Sequence, residues 1–482
     1  MKKIAVIVVV LLLVLVVAPW GIGKVAESRV NAGLDKLTET APYLTIVDRE
    51  WTRGWFRSEQ EVTFELFGAM LKGAVPEAKI EKTADTGPVE TPPAETPPAE
   101  TPPASAASPF THPLRFTVRN EILHGPVLWP ASLGIARVNT RIVMSDEIRR
   151  QIVEFFGTDE PMRVSTRIGF FGGATTRVSG DGRDIKLKDK TGTLHYEPFK
   201  FDVGYSKNLD SIDVDGSWPG LEAGDSAKGE QFRFKGMTLT GHSKRVRGDL
   251  YDGETKFLID EILVTGADKS ETSVKDLRYE VTSSTKDDFM GVALKVGSGK
   301  VRNKALEQMQ FNLDEVHYDF SMNRLHAPTL QKLMEDMKKV YTQPIVDAST
   351  VQQAVMAPLK QHAAELLKYD PEFVIDRIGV VTPEGQGNIK GVVRLKGVTA
   401  DDFETGSTAL VGKIDADINI DIAQKLIEKV PNGATGAGMA VDQGFAKRDG
   451  DKLLSHIEFR QGALKVNGKD VPLPGAGAKP QE

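Results

Sequence analysis

Three stretches of the chain bring together residue types that can do chemistry, and each lacks a part that its chemistry requires. Gly291 to Lys300 ends in Gly297-Ser298-Gly299-Lys300, the kind of run whose backbone N–H groups and lysine hold a phosphate. That loop also needs glycine at 294 and serine or threonine at 301, where this chain has Leu294 and Val301. Asp415, Asp417, Asn419 and Asp421 alternate as oxygen ligands for calcium would. An EF-hand loop turns on glycine at its sixth position and closes on glutamate at its twelfth; Ile420 and Leu426 stand there instead. The reading that remains is the solvated face of a strand. His362 and Glu365 give His-x-x-Glu, but a zincin helix needs His-Glu-x-x-His.

The chain has no cysteine, which removes disulfides, thiolate nucleophiles and zinc–thiolate sites. A Ser-His-Asp triad needs no local spacing, because its members meet in space; the Gly-x-Ser-x-Gly elbow that often marks one does not occur. His124-Gly125-Pro126 reads as a turn in which Gly and Pro set the backbone and the histidine packs nearby. The expectation is a protein that is not an enzyme, with no catalytic, cofactor-binding or metal-ligating residue assigned. A net charge of −6 and the lack of a basic, aromatic-rich stripe also exclude nucleic acid as a partner.

The elements around these stretches are mostly strands. Leu114, Phe116 and Val118 alternate with polar residues, as do Phe199, Phe201 and Val203, then Leu277, Tyr279 and Val281, and Val292, Leu294 and Val296. The series continues through Met309, Phe311 and Leu313, and through Val316, Tyr318 and Phe320, to the long run Ile414, Ala416, Ile418, Ile420 and Ile422. One polar face on every strand means antiparallel sheet, with turns at Gly180-Asp181-Gly182 and Tyr251-Asp252-Gly253. Leu330, Leu333, Met334, Met337 and Val340 share one helix face, and a second helix spans about 348–368 before Asp370-Pro371. The fold class expected is α+β, predominantly antiparallel β: a large twisted or curled sheet with a helical block near residues 327–368 and an N-terminal transmembrane helix.

That last element rests on Ile4 to Ile22, an uncharged apolar run after Lys2 and Lys3. At about 1.5 Å per residue it spans roughly 28 Å, against a hydrocarbon core of about 30 Å. A cleaved signal peptide competes with a retained anchor. Pro19 directly after Ala18 suits a cleavage site poorly, and Trp20 suits a membrane interface. The anchor is the favoured reading, with the N-terminus cytoplasmic and the body periplasmic.

Several segments, in order, resemble the YdgA-like family of bacterial inner-membrane-anchored envelope proteins. They are the apolar run; Arg53-Gly54-x-Phe56-x-Ser58; Asn120-Glu121 with His124-Gly125-Pro126; Ser165-Thr166-Arg167-Ile168-Gly169-Phe170; Leu367-Lys368-x-Asp370-Pro371; and Gly462-Ala463-Leu464-Lys465-Val466-Asn467-Gly468-Lys469. Three copies of Glu-Thr-Pro-Pro-Ala from Glu90 to Ala104 depart from that pattern and read as an insertion between neighbouring strands. The expected organisation is a transmembrane anchor (1–23), a juxtamembrane helix and first strands (24–72), and a Pro-rich low-complexity loop insertion (73–111). An antiparallel β region (112–325), a helical block (326–370), a β/α C-terminal region (371–471) and a disordered tail (472–482) follow.

The function expected is a membrane-anchored periplasmic envelope protein that binds or handles lipid or another apolar ligand in a β-sheet groove. AsmA-like envelope proteins suggest this by analogy of build. The alternative is a non-enzymatic structural or assembly factor of the envelope. The partners expected are the membrane and lipid, with further copies of the chain or envelope proteins; no cofactor is expected.

Overall fold

Period-two alternation turns into strand after strand of one antiparallel ladder. The computed structural model describes residues 2–71, 113–128, 132–186, 191–343, 348–399, 401–402 and 407–472, of which 2–18, 348–351 and 407–408 are described by backbone alone. A 23-stranded sheet dominates them. Leu44–Arg53 pairs with Arg57–Leu66, which pairs with Leu114–His124 and so on to Ala136–Val143, Arg163–Ile168, Ala174–Gly180 and Phe199–Tyr205. The longest strands, Ser211–Asp225, Glu230–Arg247, Leu250–Thr265 and Glu271–Lys286, stand side by side in the middle. Phe289–Ser298, Glu315–His326, Glu372–Thr382, Gly385–Leu395, Ile414–Ala423 and Lys452–Arg460 continue the ladder to a closing hairpin.

The sheet stays open, because among the described residues Leu44–Arg53 and Lys469–Val471 each pair on one side only. Register shifts at Ile46/Asp48, Arg245/Arg247, Met290/Val292, Asp319/Phe320 and Ile375/Ile378 are β-bulges, which bend a strand and add to its twist. Gly236 adopts φ +67° inside the strand Glu230–Arg247, a backbone state that a residue without Cβ enters at no steric cost. The ladder between this strand and Leu250–Thr265 skips that point, with pairs at Lys235↔Glu261 and Thr238↔Leu258 on either side. These points bend single strands within a sheet that does not close.

Helices pack on this sheet at several places. The first runs from Lys2 to Thr40 and lays Ala26 and Val30 on Ile122, Ala136, Val138 and Ile168. Ala327–Val340 and Ala348–Leu367 occupy the expected helical block, with Ala327 buried against Leu250 and Met290. Gln424–Glu428 and Gly433–Asp442 lie near the last strands.

Four sequence expectations change. Among the residues whose side chains are described no helix is long and apolar enough to cross a membrane, so the transmembrane helix is not part of the fold class. The helix runs on past Ile22 to Thr40, gathers Lys24, Glu27, Arg29, Asp35 and Lys36, and buries its apolar stripe on the sheet. Met309, Phe311 and Leu313 are not a strand: Asn303 caps a short helix, Lys304–Gln308, and Gln310 at φ +53° turns the chain after it. Tyr251-Asp252-Gly253 lies within a strand, and the turn falls earlier, at Gly248. Finally, Asp146–Phe156 forms a helix that alternation did not reveal, opened by the Ser145 side chain and closed by Gly157 at φ +68°.

The Pro-rich segment 73–111, and all of 472–482 but Pro472, lie outside the described residues. The strands flanking the Pro-rich segment pair directly, from Arg57↔Leu123 to Leu66↔Leu114. Loop closure cost grows only as the logarithm of length. Deleting Glu90 to Ala104 is therefore expected to leave the thermal midpoint within about 2 °C of the parent by calorimetry; a drop well beyond that would show that the repeat carries part of the fold's stability.

Candidate functional site: an open apolar face

Because side chains alternate along a strand, aligned pairs carry one face across the whole ladder. A single register row runs Val164–Val178–Phe201–Gly216–Leu239–Phe257 and on through Tyr279–Val296–Tyr318–Ile378–Ile389–Ile420. Every member is apolar, aromatic or glycine. At about 4.8 Å per strand this row is roughly 53 Å long. The row beside it carries Val203, Val214, Val281, Leu294, Phe320 and Ile375 on the same side.

The three buried clusters lie beneath the first helix, among the first strands, and where Ala327 meets Leu250. No such cluster lies over the middle of the row among the described residues. Tyr279 is 42% exposed and Tyr318 49% exposed, although the alternation directs both to the apolar side. The opposite face is solvated and pairs its charges across strands. Arg177 holds Asp202 with bonds of 2.7 and 2.9 Å, and this hydrogen bonding keeps the Asp202 carboxyl below the usual carboxylate range. Lys295 reaches Glu280 at 3.2 Å, and His242 reaches Asp213 at 2.5 Å.

Toward the C-terminus the row runs under the helices Gln424–Glu428 and Gly433–Asp442. There it meets two cavities of about 370 and 320 Å³, the size range of small-ligand sites. Ile420, Ile422, Ile427, Ala437 and Phe445 line the first; Phe311, Tyr318, Ile378, Ile389 and Leu426 line the second. Members of the register row thus form part of both walls.

The sequence's other candidates fall elsewhere. His124 is 5% exposed, beside Ser58 at 1%. Its Nδ1–H donates to the Trp55 carbonyl at 3.1 Å, since a carbonyl can only accept; the Ser58 hydroxyl then donates to Nε2 at 2.9 Å. Gly23 of the first helix lies over the ring: a Cβ there would stand 2.7 Å from His124 Cε1. This serine and histidine therefore join a helix to the sheet. Asp415, Asp417, Asn419 and Asp421 lie on the strand Ile414–Ala423, not on a calcium loop. Asp417 gathers His456 at 3.1 Å with Glu458 nearby, and Arg460 reaches Asp417 at 3.9 Å and Glu458 at 3.2 Å. Gly291 to Ser298 falls within a strand, where no phosphate loop can form. His362 bonds Asp336 at 2.8 Å and clasps the two helices of the block together.

No curated protein and no solved structure matches the chain. A family model described as a bacterial protein of unknown function, DUF945, matches residues 1–474. Since that match takes in the N-terminal helix, the whole ladder and the closing hairpin, the chain belongs to the DUF945 family of bacterial proteins.

Proposed function

We propose that this protein is a binding protein of the bacterial cell envelope that holds lipid acyl chains on the open apolar face of its sheet. The observation that carries the reading is the unbroken register row from Val164 to Ile420 with solvent-exposed tyrosines in its middle. Apolar area left in water costs about 25 cal/mol per Å², and an extended patch of it marks an interaction site. A flexible acyl chain suits this patch better than a folded partner does, because a twisted sheet offers no flat area and a chain follows its twist. Half a bilayer core is about 15 Å deep, so a row of roughly 53 Å accommodates chains end to end. The open clefts beside the C-terminal helices, lined mostly by apolar residues, supply a place for a chain terminus. An envelope setting draws support from the apolar run Ile4–Ile22 and from the YdgA-like segments.

The test is extraction of the full chain, purified from its bacterial host, followed by lipid mass spectrometry and titration with a fluorescent fatty acid. Co-purified lipid in at least equimolar amount, and saturable probe binding displaced by phospholipid, are the expected results. Protein free of lipid that also fails to bind the probe would refute the reading.

A further inference from the structure

A second surface, independent of the apolar row, lies where three turns meet at one end of the first strands. Gly54–Phe56 links Leu44–Arg53 to Arg57–Leu66; residues 125–128 and 132–135 follow Leu114–His124; residues 169–173 link Arg163–Ile168 to Ala174–Gly180. Backbone bonds hold them side by side. His124 N–H donates to Phe56 O, Gly125 N–H to Ile135 O, Ile135 N–H to Ile168 O and Gly169 N–H to Gly173 O, each at 2.8 Å. Their tips carry large apolar side chains outward: Phe171 is 97% exposed and Leu133 64%, with Phe56 and Phe170 about half exposed. Trp20 of the N-terminal helix joins them, its ring 6.4 Å from that of Trp55.

We infer that these turns and Trp20 form a docking surface for an anionic lipid bilayer. Turn tips usually carry polar residues, yet residues 54–56, 125–135 and 169–173 contain no Asp or Glu. The cations nearby are arranged to meet a negative surface. Lys24 Nζ stands 4.7 Å over the Trp20 ring, and Arg29 and Lys207 flank Gly172 beside Phe171. Tryptophan favours the bilayer interface, where its ring is apolar and its N–H is wet. The helix meets the turns at Trp20, and its apolar stretch Ile4–Ala18 precedes that point, so the most apolar sequence in the chain adjoins this surface. The contact is interfacial: the turns rest in the headgroup region and cross nothing.

Because the chain has no cysteine, a single one reports its own position. Phe171→Cys, and Ala227→Cys in an exposed turn at the opposite strand end as control, are each labelled on the full chain with an environment-sensitive fluorophore. They are mixed with vesicles of phosphatidylcholine plus phosphatidylglycerol, with and without acyl-brominated lipid. The expected result is a blue shift at 171 with quenching at least threefold greater than at 227, and further weakening of that quenching by Trp55→Ser with Phe170→Ser. Failure to sediment with the vesicles, or sedimentation with the 171 spectrum unchanged or with equal quenching at both positions, would overturn the inference. A blue shift at 171 that rises with protein concentration without vesicles would overturn it in favour of a second copy of the chain. None of these outcomes depends on whether the apolar row binds acyl chains.

Discussion

Tyr279→Asp combined with Tyr318→Asp is expected to abolish acyl binding and leave the fold standing. The two residues sit on either side of Val296 in the register row, and both are more than two-fifths exposed. Substitutions at such positions change stability by about 1 kcal/mol or less. A carboxylate covered by an acyl chain, by contrast, loses its water and gains no partner, a cost of several kcal/mol. Since about 1.4 kcal/mol is tenfold in affinity, binding of a fluorescent fatty acid should weaken at least about a hundredfold. The thermal midpoint checks the first half and a displacement titration the second. The double Tyr→Phe variant should keep both properties; tight binding by the double aspartate variant would place the ligand elsewhere.

His124→Ala is expected to be the most damaging single change to the N-terminal half, by about 3–5 kcal/mol. Removing the ring takes a partner from the buried Ser58 hydroxyl, at about 1–3 kcal/mol, and another from the part-buried Trp55 carbonyl, at less. It also opens a cavity beneath Gly23 that a helix packed at Ala26 and Val30 cannot readily fill. Ser58→Ala, which leaves only the ring nitrogen without its donor, should cost about 1 kcal/mol. Urea denaturation gives the size of each loss. Hydrogen exchange gives its place: faster exchange should centre on residues 19–40 and their partner strands. Unchanged protection there with global destabilisation would show that the histidine does not fasten the helix.

Local rules reached far along this chain because its elements are local. Alternation in Phe199, Phe201 and Val203, in Leu277 to Val281 and in Ile414 to Ile422 marks strands that the structure contains. The 3.6-residue pattern of Leu330 to Val340 marks a helix that it contains. The misreadings have identifiable causes. Met309, Phe311 and Leu313 alternate, but the Asn303 cap and the left-handed Gln310 decide that segment. Asp146–Phe156 carried its signals in Ser145 and Gly157, and cap chemistry would have found it where hydrophobic spacing did not. The helical spacing of Val25, Val30, Leu34 and Leu37 allows either a continuation of the first helix or a separate short one; the structure has one helix to Thr40, because the sheet supplies a surface for Ala26 and Val30.

By itself the sequence determined that the protein is built of antiparallel strands with one apolar side, that a helical block interrupts them, and that no thiol chemistry is available. Those properties follow from side-chain period and composition, which neighbouring residues settle among themselves. Only the tertiary structure decided that the apolar sides align into one row, since that depends on the register of each strand pair and on bulges that correct it. It alone brought Ser58 to His124, which are 66 residues apart, and set three distant turns beside Trp20. Pairing across a ladder is a non-local event, fixed by which face can be buried and where each turn falls.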